Sequence, residues 1–543
     1  MSNVGIRNRG VVLIVVCAAF ILAACSPSAD KEPSGVIRVE QLFSGGLLYD
    51  GSGDKPYLAD VGVSAGKIVF IGDAKEVGVT ADDTIDATDL WVTPGFIDAH
   101  SHAALDPDYG RAALPFLYQG ITTVVLGVDG IGTSNVADQF QRWRDNGIGV
   151  NGLLFVGHGF VRTEVMGTED RAPTLQESEE MQALVRKGME EGAFGLSSGL
   201  FYVPGTYAST DEVIELAKVT ADYEGAIYDT HDRDLGAVYQ GIGYDASVQE
   251  AIKIGEESGL RVIFSHYNLQ GAHNYGRAAV GAKYVNDARA RGVDVWAAHH
   301  PYTATQSSLQ PYTIPGWAAA GSHEEMLARF EDPELSDEIT TATNAMLKIR
   351  GGADKLLFVD SRPDLNGKTL AEVASERELS PSAAVRDILQ DGNASVMNLE
   401  LYDNDNTRIL AQEAWMLTCT DGVMPRPDQP ITHPRTYGAF ARKMRLFVFE
   451  DPVLTPEFAI RSYSGLAADF YRLPDRGYLR EGYVADIAVL DPDRYRDKAT
   501  FSDPRQFTEG VVHVLVNGTF ALRDGEATNA LAGIPLTRTN RVD

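Results

Sequence analysis

Cysteine is scarce in this chain, with only three among 543 residues. We expect Cys17 to leave with a cleaved N-terminal signal and Cys25 to become the lipid-carrying first residue, so only Cys419 remains in the folded part. A single cysteine cannot form an internal disulfide, and the fold must be stabilised by its core alone. The composition permits such a core, because 44% of the residues are apolar and 23% are charged.

Positive charge is also in short supply. The chain has 47 lysines and arginines against 76 aspartates and glutamates, which gives a formal net charge of −29. An acidic surface of this kind repels phosphate backbones and anionic lipids, so we expect no nucleic acid partner and no electrostatic binding to a membrane. The charge says nothing specific about a small-molecule substrate.

Long apolar runs are rare, and the one that stands out is residues 11–24. It is too short for a membrane span, follows two arginines and ends in small residues before Cys25. We therefore predict that residues 1–25 are a bacterial lipoprotein signal and that 26–35 form a flexible tether. The protein would be exported and lipid-anchored at Cys25, facing the periplasm or the exterior. The alternative is a membrane anchor that is retained.

The two ends of the remaining chain differ from its middle. Residues 36–93 and 477–533 alternate short apolar runs with glycine and aspartate turns, which predicts β-structure at both ends. Between them, in 94–476, apolar strands alternate with amphipathic helices such as 211–225 and 245–259. Alternation of this kind predicts a parallel sheet with helices packed outside it.

The middle segment contains eight strand and helix units, which predicts a TIM (β/α)8 barrel within an α/β protein. The candidate strands are GFIDAH, TTVVLGVD, LLFVGHG, AFGLSSG, AIYDTH, VIFSH, DVWAAHHPY and WMLTCTD. A long excursion, residues 319–400, separates the seventh strand from the eighth, and we interpret it as an inserted subdomain.

Polar side chains follow these strands where a barrel carries its active site, at the carboxyl ends. They include seven of the chain's eleven histidines and two aspartates: His100, His102, Asp129, His158, His231, His266, His299, His300 and Asp421. Imidazole and carboxylate groups are ligands that zinc prefers, and an open position on such a metal activates water for hydrolysis. Alternate residues of a strand share a side, so His100 and His102 can reach one ion.

Eight segments, in chain order, resemble the amidohydrolase superfamily and, within it, the N-acyl-D-amino-acid deacylases (D-aminoacylases). They are GFIDAHSH, GITTVVLG, EGAFGLSSGLFYVPG, THDR, SHYNLQG, HPYTATQSSL, TDG and HPRTYGAF. The similarity extends from about residue 37 to about residue 533. It implies that 36–93 plus 477–533 form one small β-sandwich domain, built from both termini, beside the barrel.

The resemblance also implies the metal ligands. His100, His102, His231 and His266 match histidines that hold one or two divalent ions, zinc in particular. Asp129 stands where the family commonly has a cysteine, and a carboxylate of similar reach can bind or bridge the metals. The alternative for Asp129 is a turn residue in a glycine-rich loop.

Further positions match catalytic and substrate-binding residues of the family. Asp421 corresponds to the proton shuttle, and Arg435 to the arginine that holds the substrate carboxylate. Tyr302 and Ser308 match substrate contacts, and Asn268 stands where the family often has a lysine. We assign no role to His299 and His300, which replace the family's Asp-x-Tyr, and we expect His158 to support the site without binding metal.

The function implied is a metal-dependent amide hydrolase that removes the acyl group from N-acyl-D-amino acids by attack of metal-bound hydroxide, with Asp421 as acid and base. A D-residue dipeptidase would use the same residues on a short peptide. A cyclic amidohydrolase of the hydantoinase type usually needs a lysine on the fourth strand, which AFGLSSGL lacks. The non-enzymatic alternative is a metal- or ligand-binding lipoprotein. The oligomeric state is not indicated by the sequence.

Overall fold

The structure is a computed structural model that describes residues 37–236 and 242–538. The predicted signal and tether, residues 1–35, lie outside the described residues. Within the described ranges, no helix combines the length and the apolar character that a membrane crossing requires.

Eight strands form the barrel, and we number them barrel strands 1 to 8. They are Phe96–Asp98, Ile121–Leu126, Asn151–Leu154 continued by Val156–Gly157, Gly195–Gly199, Ile227–His231, Arg261–Phe264, Val295–His299 and Met416–Thr418. The ladders between neighbours are parallel. The ring closes where the Ala99 amide donates to the Thr418 carbonyl at 3.2 Å and the Asp421 amide to the His100 carbonyl at 3.0 Å. The predicted TIM barrel is confirmed.

Alternation along the strands gives the barrel two apolar surfaces. Ile97, Val125 and Leu417 are buried in the barrel interior, whereas Val124 and Met416, one residue away, pack against the outer helices. Successive side chains of a strand point to opposite faces, so a strand covered on both sides needs apolar residues at nearly every position. Polar residues are therefore accommodated most easily at the strand ends.

Helices cover the outside of the barrel. They are Asp108–Arg111, Leu114–Leu117, Val136–Asn146, His158–Met166, Leu175–Glu190, Thr210–Ala221, Gly243–Ser258, Ala278–Ala290, Arg435–Met444 extended by the π-helical Arg445–Glu450, Pro456–Tyr463 and Gly465–Tyr471, with 3-10 turns at Gly205–Tyr207 and Ala272–Asn274. The Ser209 side chain caps Thr210–Ala221 by accepting from the Glu212 amide. The helix Gly243–Ser258 ends at Gly259 in the left-handed conformation. Both helices lie where the periodicity predicts them.

A nine-stranded sheet stands beside the barrel and contains strands from both ends of the chain. Its strands are Arg38–Leu48, Tyr57–Ser64, Lys67–Gly72, Thr80–Asp86, Trp91–Pro94, Ile487–Leu490, Val511–Val516, Thr519–Arg523 and Glu526–Ala527, with a helix at Ala74–Val77. The two halves join where Trp91–Pro94 pairs antiparallel with Ile487–Leu490. The expectation of one small β domain built from both termini is confirmed.

The excursion between barrel strands 7 and 8 is a subdomain with its own sheet and core. Its sheet has Ser395–Asn398 between Thr305–Ser308 and Leu356–Phe358. Its helices are Leu309–Thr313, Gly316–Ala319, His323–Glu331, Ser336–Ile349, Leu370–Glu376, Pro381–Gln390 and Asn404–Leu410, with a 3-10 turn at Ala353–Lys355. The sheet begins at Thr305, whereas the sequence predicted that the insertion starts at residue 319. The earlier start was not predicted because the polar sequence TQSS lacks the apolar residues that indicate a strand.

A buried carboxylate joins the terminal sheet to the base of the barrel. Asp486, which is 4% exposed, accepts from the Asn151 side chain at 3.0 Å and from the Asn517 amide at 2.7 Å. It also forms an ion pair with the buried Arg476, whose Nη2 donates to Asn517 Oδ1 at 2.7 Å. Breaking a buried ion pair by neutralising one partner leaves an uncompensated charge.

We therefore expect Asp486→Asn to lower the free energy of unfolding by about 3–5 kcal/mol, because Arg476 would remain buried without its counter-charge. Urea denaturation followed by circular dichroism measures the effect. The matched control is Asp82→Asn, which removes an ion pair that Arg38 makes at the exposed surface, and it should change stability little. Equal effects of the two substitutions would contradict the role of Asp486.

Candidate metal centre

Four of the predicted site residues meet at the carboxyl ends of barrel strands 1, 2 and 8. His100 Nε2 lies 3.5 Å from Asp129 Oδ1, and His102 Nε2 lies 3.3 Å from Asp129 Oδ2. Asp421 Oδ1 lies 3.5 Å from His102 Nε2 and 3.8 Å from His100 Nε2. Two histidines thus stand between two carboxylates, within reach of a common ion.

His231 and His266 complete the cluster from barrel strands 5 and 6. Their rings are 4.6 Å apart between centroids, and the ring of His266 is 5.5 Å from that of His100. His100, Asp129 and His266 offer ligand atoms that all lie within 4.8 Å of one another, as do those of His100, His102 and Asp421. His231 belongs to neither group, and its Nδ1 lies 3.0 Å from the Asp232 carbonyl oxygen.

The buried polar atoms of this cluster fit a divalent cation. His100 Nε2, Asp129 Oδ1 and His266 Nδ1 are buried without a hydrogen-bond partner among the described residues. Buried polar atoms are almost always partnered, so three that face one another indicate a missing common partner. A set of imidazole nitrogens and carboxylate oxygens is a set that zinc accepts.

The histidines differ in charge because their surroundings differ. Burial lowers the pKa of His266 to about 3, so this ring is neutral and able to bind a metal. Burial also acts to lower the pKa of His102, but hydrogen bonds to Asp129 and Asp421 raise it to about 8. Burial raises the pKa of Asp129, but His100 and His102 hold it well below its usual range. Metal binding here must displace protons from histidine.

Three of the site residues have a left-handed backbone, which non-glycine residues rarely adopt. The φ angles are 55° at Asp129, 26° at His266 and 49° at Asp421. Gly130 follows Asp129 with a φ of 75°, and a Cβ there would lie 2.7 Å from the Gly199 amide nitrogen. Each strand therefore turns sharply as it ends, and the turn directs the side chain into the barrel mouth. Backbone strain of this kind is frequent at functional sites.

Asp421 is paired with Arg435, the first residue of the helix Arg435–Met444. Asp421 Oδ2 lies 2.5 Å from Arg435 Nη1, and the same Nη1 donates to His300 Nε2 at 3.1 Å. Burial raises the pKa of Asp421, but Arg435 and His266 outweigh it and keep this pKa well below its usual range. Arg435 is 1% exposed, and Asp421 compensates its buried charge.

A cavity of about 430 Å³ opens above the cluster. Its walls are His102, Asp129, Ile131, Tyr202, His266, Gln306, Ser307, Ser308, Ser395, Asp421, Val423 and Arg435. The predicted residues Ser308 and Arg435 line it. The strand Thr305–Ser308 of the inserted subdomain forms one wall, so the insertion encloses the site.

Two predicted substrate contacts do not line this cavity. Asn268 is 2% exposed; its Nδ2 donates to Thr407 at 2.8 Å and its Oδ1 accepts from the Leu269 amide at 2.8 Å, so its amide is occupied within the loop. Tyr302 is 1% exposed and donates to the Pro434 carbonyl at 3.3 Å. Its position supports the backbone just before Arg435.

The remaining strand-end histidines have different surroundings. His158 is fully buried, with Nε2 3.0 Å from Glu212 Oε1, and Arg162 binds the same carboxylate at 2.7 Å. His300 contacts Arg435, as described. His299 is buried with both ring nitrogens unpartnered.

Two aspartates of the site have no role in the sequence-based prediction. Asp98 Oδ1 accepts from the Thr420 amide at 2.8 Å, which ties the end of barrel strand 8 to strand 1. Asp229 has both carboxylate oxygens unpartnered, with Oδ2 3.9 Å from His100 Nδ1. Each aspartate precedes a candidate metal ligand, His100 or His231, by two residues and so shares its side of the strand. That spacing is the signal that could have found them.

Similarity to known proteins agrees with this geometry. A model of the amidohydrolase family matches residues 83–521. An N-acyl-D-aspartate deacylase of Alcaligenes xylosoxydans xylosoxydans is 32% identical over 90% of this chain and 93% of its own length. A D-aminoacylase of the same organism is 31% identical over 92% and 97%. A crystal structure of N-acyl-D-glutamate deacylase from Bordetella bronchiseptica, complexed with zinc and a phosphonate that mimics the tetrahedral intermediate, superposes with a TM-score of 0.78 at 27% identity, covering 92% of this chain and 100% of that one.

We expect His100→Ala to abolish stoichiometric zinc binding, because His100 belongs to both tight ligand groups. Asp229→Asn should weaken zinc binding by about 10–100-fold, because it removes a carboxylate beside the far nitrogen of a ligand. Equilibrium dialysis followed by elemental analysis measures both effects.

The control for these variants is His323→Ala, which changes an exposed histidine at the start of the helix His323–Glu331. It should bind zinc as the unmodified protein does. Retention of full zinc affinity by His100→Ala, with circular dichroism unchanged, would contradict the proposed centre.

Proposed function

The chain belongs to the amidohydrolase family and, within it, to the N-acyl-D-amino-acid deacylases, and on this basis we propose that it is a zinc-dependent hydrolase that releases the acyl group from N-acyl-D-amino acids. The observation that carries the proposal is the contact of Asp421 with both His102 and Arg435 at the floor of the cavity. The carboxylate of Asp421 is therefore next to the proposed metal ligand His102 and also next to Arg435, whose guanidinium is suited to bind a substrate carboxylate.

The residues proposed to hold the metal are His100, His102, Asp129, His231 and His266. When bound there, zinc lowers the pKa of a water ligand towards about 7 and polarises a carbonyl oxygen. The four histidines and Asp129 supply only nitrogen and oxygen, which leaves the ion Lewis-acidic. The two oxygens of Asp129 face different histidines, so this carboxylate would help to hold whichever ion these histidines bind.

Arg435 is proposed to bind the α-carboxylate of the substrate. Its guanidinium is buried and planar, and its Nε has no hydrogen-bond partner. A guanidinium matches a carboxylate through two parallel hydrogen bonds. Since Nη1 already contacts Asp421 and His300, the substrate must share or exchange those contacts.

Asp421 is proposed to move the proton. An amide nitrogen leaves only when it is protonated, so the reaction needs a group that accepts a proton from the attacking water and donates it to nitrogen. Asp421 lies 3.5 Å from His102, at the edge of the metal cluster, and lines the cavity. Its side chain can therefore face both the water and the scissile bond.

The fourth barrel strand argues against a cyclic amidohydrolase of the hydantoinase type. That strand, Gly195–Gly199, carries Ser197 and Ser198 where such enzymes usually carry a bridging lysine. Ser197 Oγ donates to the Gly127 carbonyl at 2.6 Å and supports the loop that holds Asp129. A D-residue dipeptidase would use the same residues and would differ only in its acyl group. The named relatives are enzymes, which argues against a lipoprotein that only binds metal or ligand.

We expect Asp421→Asn to lower kcat by about 10²–10⁴-fold, because the amide cannot carry the proton. Zinc content should be close to that of the unmodified enzyme. Steady-state release of free amino acid from a panel of N-acetyl-D- and N-acetyl-L-amino acids, with metal analysis on the same sample, provides the measurement.

Asp428→Asn is the control, because Asp428 is exposed and, in the described part of the chain, is paired only with Arg426. Its kcat should not change. Full activity of Asp421→Asn would overturn the role of Asp421, and preference for L substrates would overturn the stereochemical assignment.

We propose in addition that the mature protein begins at Cys25 and is anchored by lipid on the outer side of a bacterial membrane. The support is the short apolar run and the small residues that precede Cys25. We expect Cys25→Ser to abolish labelling by a fatty-acid analogue in a producing bacterium. Equal labelling of the Cys25→Ser protein would refute the anchor.

A further inference from the structure

The cavity walls differ in charge. Besides the histidines proposed to hold metal, Arg435 is the one lining residue with a positive charge, among the residues that the structure describes. Asp129 and Asp421 contribute negative charge, and the strand wall consists of the neutral Gln306, Ser307 and Ser308. Ionic recognition of a substrate carboxylate therefore depends on a single arginine.

That arginine can serve only one substrate carboxylate. Nη1 of Arg435 is engaged by Asp421 at 2.5 Å and by His300 at 3.1 Å, and the side chain is 1% exposed, so its remaining nitrogens can hold one further carboxylate. In the proposed reaction, Arg435 holds the α-carboxylate that every N-acyl amino acid carries. An acidic side chain would bring a second carboxylate that has no cation left to bind.

The metal does not provide that cation. Asp129 and Asp421 lie within 4 Å of the same histidines and offset the charge of a bound ion. The residues that would hold the ion lie at the cavity floor, whereas Ser308 and Ser395 lie on the wall of the inserted subdomain. A carboxylate held against that wall would lose part of its hydration in a cavity that also contains Asp129 and Asp421.

The same wall offers neutral hydrogen-bonding groups. Ser308 is half-buried, and its hydroxyl makes no hydrogen bond within the described structure. Gln306 Oε1 accepts from the His433 amide at 3.1 Å, but among the described residues its Nε2 makes only a long contact of 3.4 Å with Ser395 Oγ, which leaves donor capacity. Hydroxyl and amide groups can both donate and accept, so they suit a side-chain amide or hydroxyl.

We propose that this enzyme selects N-acyl-D-amino acids with uncharged polar side chains, such as D-glutamine, D-asparagine and D-serine, and rejects the acidic ones. The inference rests on the proposed function and names its substrate class. It sets this chain apart from the relatives named for D-aspartate and D-glutamate. The determinant is the neutral wall of Gln306, Ser308 and Ser395.

Pairs of nearly isosteric substrates test the charge alone. N-acetyl-D-glutamine and N-acetyl-D-glutamate have almost the same shape, as do the D-asparagine and D-aspartate compounds. We expect kcat/KM to favour the amide of each pair by about 100-fold, because a desolvated, unpaired carboxylate is disfavoured. Equal values, or a preference for the acid, would overturn the inference.

A charge placed on the wall should reverse the preference. In Ser308→Lys, an ammonium group reaches the cavity, and kcat/KM for N-acetyl-D-glutamate should rise by about 10-fold or more through a new ion pair. Ser308→Met is the matched control, because it adds a similar length of chain without the charge. A similar gain in Ser308→Met would assign the effect to shape and overturn the charge argument.

The outcomes separate this inference from the proposed function. If acidic substrates are hydrolysed at least as fast as neutral ones, the proposed selectivity for neutral polar side chains is wrong, but the proposed deacylase function is still supported. Absence of hydrolysis for every N-acetyl-D-amino acid by zinc-loaded enzyme would remove both. Isothermal titration with D-glutamine and D-glutamate, the released products, supplies a readout without turnover, and tighter binding of D-glutamate would count against the neutral wall.

Discussion

Compensation of buried charge is the constraint on which the rest of this structure depends. Asp129 and Asp421 are nearly inaccessible to solvent, and such carboxylates are stable only beside positive partners. Asp421 has Arg435, whereas among the described residues Asp129 has only the histidines that a metal also needs. A divalent ion held by these histidines would compensate the negative charge of Asp129.

The fold holds these side chains in place although their backbone conformations cost free energy. Left-handed backbones at Asp129, His266 and Asp421 are unfavourable for residues with a Cβ, by about 1–3 kcal/mol each. They persist because the neighbouring chain leaves no alternative. Asp98 binds the Thr420 amide and closes the ring next to Asp421, and Gly130 packs where a side chain would collide. Rigid strands thus fix the ligands more accurately than loops could.

The strands and helices that show a regular pattern of apolar residues could be predicted from the sequence. Barrel strands carry continuous apolar runs, and their polar ends stand out, so the convergence of His100, His102, Asp129 and Asp421 followed from the barrel alone. Asn268 and Tyr302 show the limit of this reasoning, because a matched position does not specify where a side chain points. Asn268 is turned into its loop by Thr407 and its own backbone. The roles of Asp229 and of the strand Thr305–Ser308 were not predicted. They depend on tertiary neighbours, which are His100 for Asp229 and the strand Ser395–Asn398 for Thr305–Ser308.

The division of labour between barrel and insertion has a physical basis. Ligands for a metal must be placed within tenths of an ångström, which the parallel strands of a closed barrel can do. Substrate discrimination needs only a wall of suitable charge and shape, and the inserted sheet supplies one through Thr305–Ser308. Because that sheet packs on its own core, substitutions at Gln306 or Ser308 can alter the wall while the strands that hold the metal keep their positions. Chemistry and specificity can therefore change independently in this architecture.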